Sequence, residues 1–170
     1  MRIELERLRE LGGRFSQVYE VEDLSLDDDV RLTEPTEVRG LIRRAGNEIE
    51  LRGQLEARIQ TVCGRCLKSV VLPVSSEFLE RFVPAVSWLT EEQHELSEEE
   101  LNLAVFDGEA IDLDDLVREE ILLAMPARAL CNEECKGLCP VCGANRNTDS
   151  CNCDSREIDP RWEELKNLRF

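Results

Sequence analysis

The sequence predicts an α+β fold: a β-rich antiparallel sheet, one covering helix, and a cysteine-rich C-terminal segment stapled by metal. Three observations carry this expectation. Residues 36–82 alternate apolar and polar side chains with period two, the mark of an antiparallel sheet with one buried face. Leu113, Leu116, Val117, Glu120, Ile121 and Ala124 recur at helical spacing, and six of the eight cysteines fall within residues 131–153. The expected division is a core domain over residues 1–126 and a metal-binding segment over 127–170.

The elements follow in chain order. Ile3 and Leu5 alternate with charges, and Phe15 to Val21 reads as a second short strand, with Gly12-Gly13 between them. Asp27-Asp28-Asp29 reads as a solvated turn. Thr36, Val38, Gly40 and Ile42 then share one face of a strand. Ala45-Gly46-Asn47 is a hairpin turn. In the next strand Ile49, Leu51, Gly53, Leu55, Ala57 and Ile59 share a face, opposite Glu50, Arg52, Gln54, Glu56 and Arg58. A third strand aligns Val70, Leu72, Val74, Ser76 and Phe78, which places Cys63-Gly64-Arg65-Cys66 at a hairpin tip.

Residues 91–120 change character, with thirteen acidic side chains against Arg118 alone. An acidic loop is expected over about 90–110, holding a strand at 101–106. Asp112 is a good helix N-cap, Asp114 and Asp115 favour the first turn, and Pro126 stops a helix over about 113–124. Asp159-Pro160 opens a short terminal helix through Leu168. No internal repeat of solenoid length occurs, and the two cysteine groups are not copies of one another in sequence.

Composition bounds the function. The chain has 170 residues, 42% of them hydrophobic, and a formal net charge of −16. Bulk electrostatics therefore oppose adhesion to nucleic acid, and a basic protein partner suits the chain better. The charged start, Met1 to Arg7, reads as no signal peptide, and no apolar run spans a membrane. A reducing cytoplasm is the expected location, where this cysteine spacing reads as a metal site rather than disulfides.

Zinc is the default metal, because it takes four soft ligands without a d-electron preference. Cys139-Pro140-Val141-Cys142-Gly143 has knuckle form, and Cys151-Asn152-Cys153 offers a second pair. Cys63 and Cys66 can join Cys131 and Cys135 in another site, which would clip the tail onto the sheet. Other partitions of the eight thiols, around one ion or two, fit the sequence as well.

Catalytic readings fare worse. The only histidine, His94, lies far from the thiols in sequence. A nucleobase deaminase needs His-x-Glu and Pro-Cys-x2-Cys, but Leu96 and Leu138 stand at the deciding places. A thiol–disulfide oxidoreductase using Cys139 and Cys142 needs the first cysteine at a helix N-terminus, whereas Gly143, Asn145 and Asn147 read as loop. Asp112, Asp114 and Asp115 lack the glycine and terminal glutamate of a calcium loop.

One stretch counters the acidity. Arg39, Arg43, Arg44, Arg52, Arg58 and Arg65, with Lys68, face only Glu48, Glu50 and Glu56 over residues 39–68. They read either as an internally paired outer sheet face or as a contact for RNA phosphates or a partner. No aromatic interleaving supports base stacking there.

Taken together, Cys63-Gly64-Arg65-Cys66-Leu67, the Ile121–Pro126 helix end, the run Cys135-Lys136-Gly137-Leu138-Cys139-Pro140-Val141-Cys142-Gly143-Ala144-Asn145 and Asp159-Pro160-Arg161-Trp162 resemble the YceD family. Its bacterial and plastid members are called large ribosomal RNA subunit accumulation proteins. The resemblance covers nearly the whole chain. It implies a cytoplasmic, non-enzymatic factor of ribosome biogenesis that acts by binding. The expected partners are a basic ribosomal protein or a pre-ribosomal particle, with rRNA contact and no small-molecule substrate. A zinc-dependent RNA-binding module and the oxidoreductase are the alternatives. Some members of the family lack the C-terminal cysteines, which implies zinc as a staple of this branch.

Overall fold

The structure is a computed structural model that describes residues 2–4, 12–88, 103–106, 110–153 and 161. The acidic loop expected over about 90–110, apart from 103–106 and 110, His94, and the terminal helix expected over 159–168 (save Arg161) lie outside the described residues.

Strands β1 (Arg2–Glu4), β2 (Gly13–Tyr19), β3 (Arg31–Leu32), β4 (Thr36–Ala45), β5 (Glu48–Val62) and β6 (Ser69–Pro84) come first. Helix α1 (Ala85–Trp88), strands β7 (Leu103–Phe106) and β8 (Ala110–Asp112), and helix α2 (Leu113–Leu123) follow. The main sheet runs β2-β4-β5-β6-β7, with β3 pairing β5 beside β4. β1 and β8 form a separate antiparallel pair.

β4 and β5 are joined by the two-residue turn Gly46-Asn47, with Ala45 opposite Glu48 and Gly46 at φ 65°. Positive φ at the first turn position suits the twist of a hairpin, and glycine adopts it without steric cost. The register then fixes the faces. Ile49, Leu51, Leu55, Ala57 and Ile59 are buried, while Arg52, Gln54, Glu56 and Arg58 are exposed, as the alternation predicts.

A row across four strands is built from two residue types. Phe15 pairs with Gly40, Gly40 with Gly53, and Gly53 with Phe78. A Cβ at Gly53 would lie 2.3 Å from the Phe78 ring, and one at Gly40 would lie 2.5 Å from the Phe15 ring. Each aromatic ring therefore lies over its neighbouring glycine and covers backbone that glycine leaves bare.

α2 covers the buried face of this sheet. Asp112 caps it, accepting from the Asp114 N–H at 3.0 Å. Leu113, Leu116, Val117 and Ile121 enter one core with Val38, Leu51, Leu55, Ile59, Phe78 and Phe82. Two side-chain bonds fix the helix: Tyr19 donates to Asp114 at 2.8 Å and Ser76 to Glu120 at 2.5 Å.

The sheet is mixed rather than purely antiparallel, because β7 pairs parallel to β6, from Arg81 opposite Leu103 to Pro84 opposite Phe106. Residues 85–102 lie between them, a connection long enough for the crossover that parallel strands require. β3, β8 and α1 were not expected from the sequence. They are two to four residues long and carry no measurable period.

Candidate metal centres

The β5–β6 hairpin ends in Cys63-Gly64-Arg65-Cys66. The Cys63 N–H donates to the Lys68 carbonyl at 2.8 Å, and the Leu67 N–H donates to the Cys63 carbonyl at 2.9 Å. The same pattern recurs in the tail. The Cys139 N–H reaches the Ala144 carbonyl at 2.8 Å, and the Gly143 N–H reaches the Cys139 carbonyl at 2.9 Å. The sequences differ, yet the backbone builds one knuckle twice. In each, a residue of positive φ follows the second cysteine, Leu67 at 58° and Gly143 at 74°.

The tail docks on the first knuckle. The Gly64 N–H donates to Ala129 at 2.8 Å, and the Leu138 N–H donates to Arg65 at 3.1 Å. The Arg65 guanidinium donates to the Cys135 carbonyl at 2.8 Å and the Glu133 carbonyl at 3.2 Å. Gly137 passes over Arg65 with φ 72°, where a Cβ would stand 3.0 Å from the Arg65 carbonyl oxygen. A small apolar cluster of Cys63, Cys66 and Cys135, flanked by Leu130, Cys131 and Leu138, sits apart from the main core.

These contacts gather the thiols in two groups: Cys63, Cys66, Cys131 and Cys135, and Cys139, Cys142, Cys151 and Cys153, each with all sulfurs within 4.8 Å of one another. Sulfurs about 2.3 Å from a tetrahedral zinc stand about 3.8 Å apart. Cys63 and Cys135 are 3.8 Å apart and Cys66 and Cys131 are 3.7 Å apart. These spacings fit a tetrathiolate cation site, and all eight cysteines are free thiols.

The electrostatics point the same way. Backbone amides at Arg65 and Cys66 aim at the Cys63 sulfur and bring its pKa down to about 6. Amides at Cys142 and Val141 do the same for Cys139, also to about 6. Ionising every thiol in a group is another matter. Cys131 is pushed up to about 12, chiefly by its bond to Cys135 and by burial, and Cys153 to about 12, chiefly by its bond to Cys142. Four thiolates this close repel one another, and a soft cation at their centre is what removes the penalty.

No helix begins at Cys139: the segment is a knuckle and loop, unlike the helix N-terminus that activates a redox cysteine.

The arginines spread over different settings. Arg39 donates to Glu37 at 2.7 Å, and that bond, with one from Ser16, holds the Glu37 carboxyl down to about 2. Arg43 pairs with Glu50 at 3.2 Å and Arg58 with Glu34 at 3.5 Å. Arg44 reaches the Gly46 carbonyl at 3.4 Å, and Arg65 serves the tail contact above. Among the described residues, no carboxylate pairs with Arg52 or with Arg14. These two lie in one cross-strand row, Arg14, Leu41, Arg52 and Leu79, on the face away from α2. Leu41 and Leu79 are about half exposed there, at 51% and 45%. Arg14 was missed in the sequence because its strand is separated from the others; only the register aligns it with Arg52. No helix among the described residues is long and apolar enough to cross a membrane.

The profile described as "Large ribosomal RNA subunit accumulation protein YceD" matches residues 51–169. YlbN of Bacillus subtilis (strain 168) is 24% identical over 97% of this chain and 92% of its own length. The chloroplastic YCED homolog 1 of Arabidopsis thaliana, named a large ribosomal RNA subunit accumulation protein, is 39% identical over 35% of this chain. Its counterpart in Zea mays is 47% identical over 28%. Those alignments span only 18% and 17% of the plant proteins. No solved structure matches. With well over half of its length matched, both knuckles included, the chain belongs to the YceD family, whose description is large ribosomal RNA subunit accumulation protein.

Proposed function

We propose that this protein is a non-enzymatic binding factor for the accumulation of large-subunit ribosomal RNA, with two zinc ions holding its tail to its sheet. The observation that carries the metal half of this reading is the pair of four-thiol groups, each with its sulfurs within 4.8 Å of one another, and the near-tetrahedral 3.7 and 3.8 Å spacings in the first. Cys63, Cys66, Cys131 and Cys135 would hold one ion, and Cys139, Cys142, Cys151 and Cys153 the other. Each site then has four protein ligands and no open position, the form of a structural rather than a catalytic zinc. The first ion would tie residues 127–153, as a metal-organised appendage, to the β5–β6 tip.

The family description supports the rRNA half. For a cytoplasmic chain of net charge −16, contact with a polyanion has to be local. The face carrying Arg14, Arg39, Arg43, Arg52 and Arg58 is the best candidate, with Arg14 and Arg52 the two of these that pair with no carboxylate among the described residues. Planar guanidinium groups suit phosphate oxygens, because they donate two parallel hydrogen bonds. The acidic remainder of the surface suits a basic ribosomal protein on the same pre-ribosomal particle.

Affinity capture from cells, with and without nuclease, tests the reading, with the metal content of the same sample measured. Recovery of large-subunit rRNA or its precursor particle, lowered by Arg14→Glu with Arg52→Glu, supports it. Recovery of neither RNA nor ribosomal protein rejects it.

A further inference from the structure

The two thiol groups are not equivalent. In the first, Cys63, Cys66 and Cys135 are buried, and the ligands come from segments 65 and 72 residues apart. In the second, Cys142 and Cys153 are exposed, and all four ligands lie within residues 139–153. A competing ligand reaches the second group without any movement of the sheet.

The two groups are also joined. The loop between Cys142 and Cys151, closed by the outer group, contains Asn147. The Asn147 side-chain amide donates to the Cys135 sulfur of the inner group at 3.3 Å, and also to the Asn145 side chain at 2.8 Å. Its carbonyl accepts from the Lys136 N–H at 2.8 Å. The Arg146 N–H donates to the Gly137 carbonyl at 2.9 Å, which presses the loop onto the inner knuckle. An N–H aimed at a ligating sulfur stabilises its thiolate form and hinders protonation and exchange there.

We propose that Cys139, Cys142, Cys151 and Cys153 form an exchangeable site for a soft d10 dication, and that its occupancy sets the grip of the inner site through Asn147. Losing the outer ion frees the 143–150 loop, withdraws the Asn147 amide from Cys135 and loosens the attachment of the tail. By linkage, the inner ion strengthens the outer one equally. This inference rests on the zinc-staple reading above. A chain that carries no metal ends both, whereas two ions released at one rate end this inference alone.

The full chain, loaded with two ions of a heavy zinc isotope, is mixed with excess natural zinc, so that the outer site stays occupied, and the exchange is followed by native mass spectrometry. The expected record has two phases of one ion each. Asn147→Asp keeps the acceptor for Lys136 but lacks the donor to Cys135. Asn147→Asp and Asn147→Ala should each speed the slow phase by about tenfold or more, the usual cost of removing such a partner. Cys142→Ser with Cys153→Ser should leave one ion, released at the accelerated rate, and adding Asn147→Ala there should change little. A single phase, an unchanged slow phase in both Asn147 variants, or fully multiplicative effects of the outer-site and Asn147 changes would overturn the proposal.

Discussion

Leu67 and Gly143 occupy the same place in two knuckles of unrelated sequence, and both hold a left-handed backbone, φ 58° and 74°. Glycine adopts that conformation freely. For leucine it costs on the order of 1–2 kcal/mol. Leu67 is 64% exposed, so its side chain returns little burial. Leu67→Gly should therefore raise the stability of the metal-loaded protein by about 0.5–1 kcal/mol, after the greater freedom of glycine in the unfolded chain is deducted. Gly143→Val should lower the metal affinity of the outer group. Urea midpoints and competitive metal titration check the two.

Thr36 makes a second test. Its hydroxyl is buried in β4 and finds no hydrogen-bond partner among the described residues. An unmet buried hydroxyl costs roughly 1–3 kcal/mol. Thr36→Val should stabilise the fold by about 1 kcal/mol, shifting the urea midpoint upward without changing the slope. A downward shift would mean that the hydroxyl is satisfied.

The glycine row separates two kinds of crowding. A methyl at Gly40 would stand 2.4 Å from the Arg52 carbonyl oxygen, which the sheet holds in place. The three atoms nearest a methyl at Gly53 all belong to the Phe78 ring, a side chain rather than backbone. Gly40→Ala should cost about 2–3 kcal/mol and Gly53→Ala less, measured as the loss in unfolding free energy.

The β4–β5–β6 register was legible in the sequence because its strands are ten to sixteen residues long and alternate over most of their length. Asp112 as helix cap and Pro126 just past the helix were legible for the same local reason. The parallel pairing of β7 was not, since a four-residue strand carries no sign of its partner or direction. The thiol partition was named in the sequence, but only as one of several. Spacing proposes ligands within a segment, but the approach of Cys135 to Cys63 depends on Gly137 crossing Arg65, a contact between segments. The likeness of the two knuckles was hidden because leucine stands where glycine is the expected residue.

Glu80 gives a pH dependence. Burial raises its pKa, and the Glu120 and Glu119 charges raise it further. A carboxyl raised in the folded state binds protons more tightly there than in the unfolded chain. Its contribution is full below the unfolded carboxylate range and is lost as pH rises through the folded value. Glu80→Gln should therefore stabilise the protein at neutral pH relative to wild type and flatten the fall in stability from mildly acid to neutral pH. Urea midpoints across that range check it, and equal curves for the two proteins would contradict the assignment.

The account turns on cations binding eight sulfurs in two sets of four. Native mass spectrometry of protein purified anaerobically without reductant, with thiol counting before and after denaturation with chelator, tests this most directly. The expected result is two zinc ions per chain, no rapidly reacting thiol while they stay bound, and all eight thiols once they are removed. A metal-free chain with all eight thiols reactive from the start, or one closed by disulfides, would contradict it.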